Sequence, residues 1–292
     1  MAAERLSTGV PGLNERLGGG LLRGTLTVVV GATGIGKTQL GVQFAQAGAA
    51  QEGPRGVFFD LSARGDSQSH ADYARRMFAW NLQPAAQRLA ELAQFFDAPG
   101  PPGDYLHVFD YSGQRVTKRD LDFAAWHDWQ AQLNERLEAT IAFFYGNFVR
   151  GVRRVVIDGI EPVDKPGDSI QFEMFEYIYH QILRKEPAWV ARDLFRQHYR
   201  QYAEQIAQHP YDPAQLGCLL LATSHELLLD DLLNRRLDEG DVLANANTLI
   251  LMGKVRQANG FGRALYVAKH RGSACADEII PFRIDDRGLH VG

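Results

Sequence analysis

Cysteine is scarce in this sequence: Cys218 and Cys275 are the only two in 292 residues. They lie far apart and lack the spacing of a thiolate metal site or a disulfide framework, which points to a reducing compartment. Long apolar runs are missing as well. No stretch approaches the ~18 residues needed to cross a bilayer, which excludes a membrane-spanning helix. The first residues, Met1 to Leu6, hold no signal-peptide apolar core, so secretion is not expected. Positive charge is not in excess either. Thirty-one Lys and Arg against 35 Asp and Glu leave a net charge of −4, with no global attraction to nucleic acid or anionic membrane. What remains is a cytoplasmic globular protein, 45% hydrophobic and 23% charged, long enough for one large α/β core.

Apolar, β-branched runs alternate with helical patterns along most of the chain. Strands are predicted at 25–31, 56–61, 105–111, 154–158 and 217–223, and helices at 37–50, 66–79, 83–95, 117–149 and 169–184. Several strands are nearly continuous hydrophobics, as parallel strands covered on both faces must be. The alternation predicts a mostly parallel twisted sheet flanked by helices. The last sixth changes rhythm. Segments 245–253, 263–271 and 279–291 read as β, with turn signals at Asn259-Gly260 and Asp286-Arg287-Gly288, so antiparallel strands should extend one edge. An extra helix is expected at 186–209, opened by Pro187, as a helical insertion near 184–212. The Pro/Gly stretch at 98–103 is too short for a domain linker, so residues 1–292 read as a single domain.

Residues Gly31-Ala32-Thr33-Gly34-Ile35-Gly36-Lys37-Thr38 fit the phosphate-loop pattern G-x-x-x-x-G-K-[ST]. Glycines let the backbone curl until successive N–H groups point at phosphate oxygens. The helix that opens at Lys37 adds the positive end of its dipole. Lys37 is placed to neutralise the β- and γ-phosphates and Thr38 to ligate magnesium, with Gln39 the last of the nucleotide-binding positions. Thr27 to Val30 supply the strand that should precede such a loop. Arg154-Val155-Val156-Ile157-Asp158 is a hydrophobic strand ending in a carboxylate. Asp158 should therefore lie beside the loop and help hold magnesium. The implied cofactors are ATP and Mg2+.

The residues before this loop carry a family resemblance. Leu6-Ser7-Thr8-Gly9, Leu13-Asn14, Leu17-Gly18-Gly19-Gly20-Leu21 and Gly24 resemble the lead-in shared by KaiC and RadA proteins. Gly56 to Asp60 is similar to the family's next strand, and Ala74 to Leu82 to its following helix. Arg263 to Ser273, Pro281 to Ile284 and Gly288-Leu289 resemble the KaiC ending. The resemblance implies a RecA-like core that assembles into a ring, often a hexamer, with ATP between subunits. In the family a Lys and an Arg on a late strand reach the neighbour's γ-phosphate. The matching catalytic candidates are Lys269 and Arg271, whose alternation on a strand puts both on one face. Thr223 and Ser224 match a polar γ-phosphate sensor.

One departure bears on activity. The relatives carry one or two Glu after the Gly56–Asp60 strand, where this sequence has Ser62 and Ala63. A hydroxyl is a poor base at neutral pH, so hydrolysis should be slow. Asp60, Asp66 and Glu161 are the carboxylates that could substitute from nearby.

Partner surfaces are weakly marked. Arg192, Arg196 and Arg200 recur at i, i+4, i+8, a stripe that more often forms a solvated face than a nucleic-acid contact. The segment after strand 217–223, from Leu227 to Glu239, is leucine-rich and net acidic, poorly suited to a phosphate backbone. Phe143, Phe144, Tyr145 and Phe148 fit core better than a base-stacking platform. The expected function is a nucleotide-dependent homo-oligomer that regulates or scaffolds protein partners. A RadA-like DNA repair ATPase is the alternative, with DNA binding disfavoured. A small-molecule P-loop kinase and a non-hydrolysing structural protein rank below these.

Overall fold

The computed structural model describes residues 4–62, 70–85, 95–97, 100–109, 123–162, 169–235 and 245–292, with side chains of the helix from 123 described beyond residue 135. The lead-in folds as β1 (Arg5–Leu6), α1 (Leu13–Arg16) and β2 (Leu21–Leu22), β1 and β2 pairing antiparallel. Leu6, Leu13, Leu17 and Leu21 are buried, and Asn14 locks the turn by accepting from the Thr8 N–H and hydroxyl, both at 2.8 Å.

Next come β3 (Leu26–Ala32), α2 (Lys37–Gln51), β4 (Val57–Asp60), α3 (His70–Phe78), β5 (Tyr105–His107), α4 (Phe123–Phe148), β6 (Arg154–Ile160) and α5 (Ile170–Ile178). The chain then runs through α6 (Pro187–Phe195), α7 (Ala203–Gln208), β7 (Gly217–Ser224), α8 (Leu229–Asn234), β8 (Thr248–Gln257), β9 (Gly260–His270), β10 (Ile280–Asp285) and β11 (Gly288–Val291). Nine strands form one sheet in the order β11-β10-β9-β8-β3-β7-β6-β4-β5. Every residue of β3 is buried, which fits its central place between β7 and β8. One apolar cluster on the sheet gathers α4, α5 and α6, and the other gathers the lead-in, α2 and the C-terminal strands. The fold is therefore the mostly parallel, helix-flanked sheet that the alternation predicts, with antiparallel C-terminal strands.

Several details differ from expectation. β8 pairs parallel to β3, so antiparallel pairing begins only at β9. β5 ends at His107, short of the predicted 111, and residues 110–111 lie outside the described residues. The predicted helix at 83–95 falls almost wholly outside them, as do 66–69 and 117–122 of two other helices. The 169–184 helix is capped by Ser169, whose hydroxyl accepts from the Phe172 N–H, and closes in a π-helical turn at Tyr179–Leu183.

The 186–209 segment is not one helix. Pro187 opens α6 as expected, but the backbone breaks at Arg196, whose φ is 47°, into a 3-10 stretch at Arg196–Tyr202 and then α7. The break lets Phe195 bury fully against Tyr145 and Tyr202. It also disperses the arginine stripe. Arg192 stacks between the rings of Trp189 and Tyr199, while Arg196 pairs with Glu138 of α4. Phe143, Phe144, Tyr145 and Phe148 are core, as predicted.

Candidate nucleotide site

The site forms at the C-terminal ends of β3, β4, β6 and β7, where open parallel sheets place their ligands. The 31–38 loop leaves β3 and turns into α2 through Gly34 and Gly36, whose φ values of 76° and 120° suit glycine. At Gly36 a Cβ would also lie 2.5 Å from the Ile284 side chain, so the curl is packed as well as permitted. Thr33 and Gly34 are exposed at the tip, while Ala32, Ile35, Gly36 and Lys37 are buried and Thr38 and Gln39 half-buried.

Lys37 folds back over the loop, its Nζ donating to the carbonyls of Gly31 at 2.8 Å and Ala32 at 3.0 Å. Burial holds its pKa down to about 8, against the pull of Asp158. β6 brings Asp158 to the same place: the Thr38 hydroxyl donates to Asp158 Oδ2 at 3.1 Å, although 120 residues separate them. The other oxygen, Oδ1, accepts from the Gly159 N–H at 2.7 Å. Two hard oxygen groups, a hydroxyl and a carboxylate, thus converge beside a loop rich in N–H donors. That donor set fits magnesium with a phosphate ligand.

A residue that the sequence does not mark completes this cluster. His70, at the start of α3, sets Nε2 3.0 Å from Asp158 Oδ2 and Nδ1 3.7 Å from Asp60 Oδ2. Asp60 is itself the register partner of Asp158 across β4 and β6. It accepts from the Tyr105 hydroxyl at 2.6 Å and from the Ser62 N–H at 2.8 Å. Burial alone would lower the His70 pKa, but its hydrogen bond to Asp158 and the charges of Asp158 and Asp60 raise it. For Asp158, burial pushes the carboxyl up, yet His70 and Lys37 hold it below its ordinary value.

The remaining positions divide into near and far. Thr223 and Ser224 pair with Gly31 and Ala32 across β3 and β7, and the Ser224 hydroxyl donates to Glu226. Ser62 is half-buried, and Glu161 donates its N–H to the Gln171 side chain. Asp66 lies outside the described residues. Lys269 and Arg271 are not at this site. They sit where β9 runs past the start of β8, at the opposite end of the sheet from the loop, with Arg271 just beyond the strand. The two are nonetheless mutual neighbours: burial, then the Arg271 charge, lowers the Lys269 pKa.

The 31–38 loop, Lys37, Thr38 and Asp158 thus lie together at the C-terminal ends of a mostly parallel sheet. The family model described as KaiC ATPase matches residues 6–98. A UPF0273 protein of Methanopyrus kandleri is 34% identical over 110 residues, covering 36% of this chain and 41% of that protein. The circadian clock oscillator protein KaiC of Prochlorococcus marinus is 32% identical over 116 residues, or 39% of this chain and 22% of its own length. The chain thus spans well under two thirds of these relatives. Among solved structures, a KaiC-like protein of Pyrococcus horikoshii matches with a TM-score of 0.52 at 15% identity over 99% of both chains, a likeness of fold. Residues 6–98 are thus similar to the KaiC ATPase family, and the fold as a whole is like that of a KaiC-like protein. The family match ends at residue 98, so the likeness expected over 263–289 lies outside it.

Proposed function

We propose that this chain binds Mg-ATP in the 31–38 loop, hydrolyses it slowly, and assembles into a nucleotide-dependent homo-oligomer that regulates or scaffolds protein partners. The observation that carries the reading is the Thr38–Asp158 hydrogen bond at 3.1 Å, which joins the phosphate loop to β6. The loop N–H groups would cradle phosphate oxygens, and Lys37 would leave its carbonyl partners for the β- and γ-phosphates. Thr38 and Asp158 would hold magnesium, which when bound supplies neutralising charge to the phosphates.

Slow turnover follows from Ser62, whose hydroxyl offers no base for water. The placement of Lys269 and Arg271 far from their own loop supports action on a neighbouring subunit's nucleotide, in a ring such as a hexamer. The DNA-binding alternative gains no support after β7, where Leu229 and Leu232 of α8 are buried and pack on β8. Among the described residues no helix is long and apolar enough to cross a membrane, and a cytoplasmic location remains part of this proposal.

Light scattering with ATP, with ADP and without nucleotide, alongside phosphate release, tests the reading. ATP-dependent oligomers with slow release are expected. Monomers throughout would remove the trans roles of Lys269 and Arg271, and stimulation of release by DNA would favour the RadA-like alternative.

A further inference from the structure

His70 stands apart from the phosphate-loop and strand-end residues already discussed. Its ring is wedged between Phe58 and Tyr105, with centroids at 5.4 and 5.7 Å, so it has little freedom to turn. Each ring nitrogen faces a carboxylate, Nε2 at 3.0 Å from Asp158 and Nδ1 at 3.7 Å from Asp60. Asp60 is anchored in turn by the Tyr105 hydroxyl and the Ser62 backbone. A carboxylate left to itself samples several rotamers; here Oδ2 of Asp158 is fixed by Thr38 on one side and His70 on the other.

We propose that His70 is a positioning residue for the magnesium-holding carboxylate, orienting Asp158 from outside the metal's own ligands while Asp60 orients His70. The proposal rests on the Mg-nucleotide reading above and adds to it a chain, Tyr105–Asp60–His70–Asp158, running from the sheet edge to the metal. Groups that orient a ligand in this way typically change metal affinity by about 10–100-fold when removed.

The test is titration with a fluorescent ADP analogue, in excess magnesium and in EDTA, of wild type, His70→Ala, His70→Gln and Asp60→Asn. The magnesium-dependent gain in affinity is expected to fall about tenfold in H70A, with affinity in EDTA unchanged. H70Q, whose carboxamide can still donate to Asp158, should recover part of the gain, and D60N should lose a smaller part. If H70A is too unstable to titrate, His70→Phe keeps the ring between Phe58 and Tyr105 while removing both nitrogens, and should behave as H70A. A gain within twofold of wild type in H70A or H70F overturns the proposal. So does an equal loss with and without magnesium. Wild-type protein that binds no nucleotide sinks the underlying reading and this proposal together; wild type that binds, with an unaffected H70A, sinks this one alone.

Discussion

The backbone of Gly159 lies directly against Ser62: at its φ of 97°, a Cβ on Gly159 would sit 2.2 Å from the Ser62 nitrogen. The residue after Asp158 thus touches the position where the family resemblance leads one to expect a carboxylate. No side chain fits there without moving Asp158 or the β4 end. Gly159→Ala is expected to cost about 2 kcal/mol or more and to weaken Mg-nucleotide binding with it. Thermal melting and nucleotide titration of the variant check this; an unchanged melting temperature would contradict it.

The proposed slow hydrolysis is tested at Ser62 itself. Ser62→Glu is expected to raise the rate of phosphate release about tenfold or more, since a positioned base contributes about 10²–10⁴-fold. Phosphate release by S62E, with the double variant S62E/K37A as a blank, is the measurement. No increase over wild type would show that Ser62 is not what limits hydrolysis.

Arg154, fully buried at the start of β6, joins three segments. Its Nε donates to Glu52 at 2.6 Å, and Nη1 donates to the carbonyls of Ser7 at 2.6 Å and Phe44 at 2.8 Å. Truncation leaves Glu52 facing a weaker partner, Arg23, at 3.6 Å. Arg154→Ala should cost about 3–5 kcal/mol, read as a lowered melting temperature, while loop residues and nucleotide affinity in the folded protein stay as they are.

His270 gives a pH dependence of definite sign. Its ring is within hydrogen-bond distance of the Thr248 hydroxyl and the Leu17 carbonyl, and burial, then the Arg5 charge, lowers its pKa below 6.5. The unfolded chain therefore binds the proton more readily than the folded one below pH 6.5. Stability from His270 is present above that pH and is lost as pH falls through the folded value. His270→Gln should lower stability by about 1–2 kcal/mol at pH 7.5, and its difference from wild type should shrink at pH 5. Melting curves of both proteins across this range are the check, and a difference that grows on acidification would contradict it.

What the sequence reveals here depends on how local the signal is. The 31–38 loop is contiguous, and its glycines, lysine and threonine are each demanded by one task, so it can be read directly. Asp158 is legible because it ends an apolar run. His70 is not, since its bond to Asp158 spans 88 residues and no local pattern marks it. The break at Arg196 is likewise invisible: neither glycine nor proline stands there, and the turn answers to the burial of Phe195. The parallel course of β8 escapes a reading of hydrophobic periodicity, which gives strand identity but not direction.

The most direct measurement is the melting temperature of wild type and Lys37→Ala with and without saturating Mg-ATP. At about 100 times the dissociation constant, binding stabilises by about 2.7 kcal/mol. For a chain of this size that is about 5 °C, expected in wild type and absent in K37A. A wild-type melting temperature unmoved by Mg-ATP, or a K37A shift as large as wild type's, would contradict a triphosphate held between the 31–38 loop and Asp158.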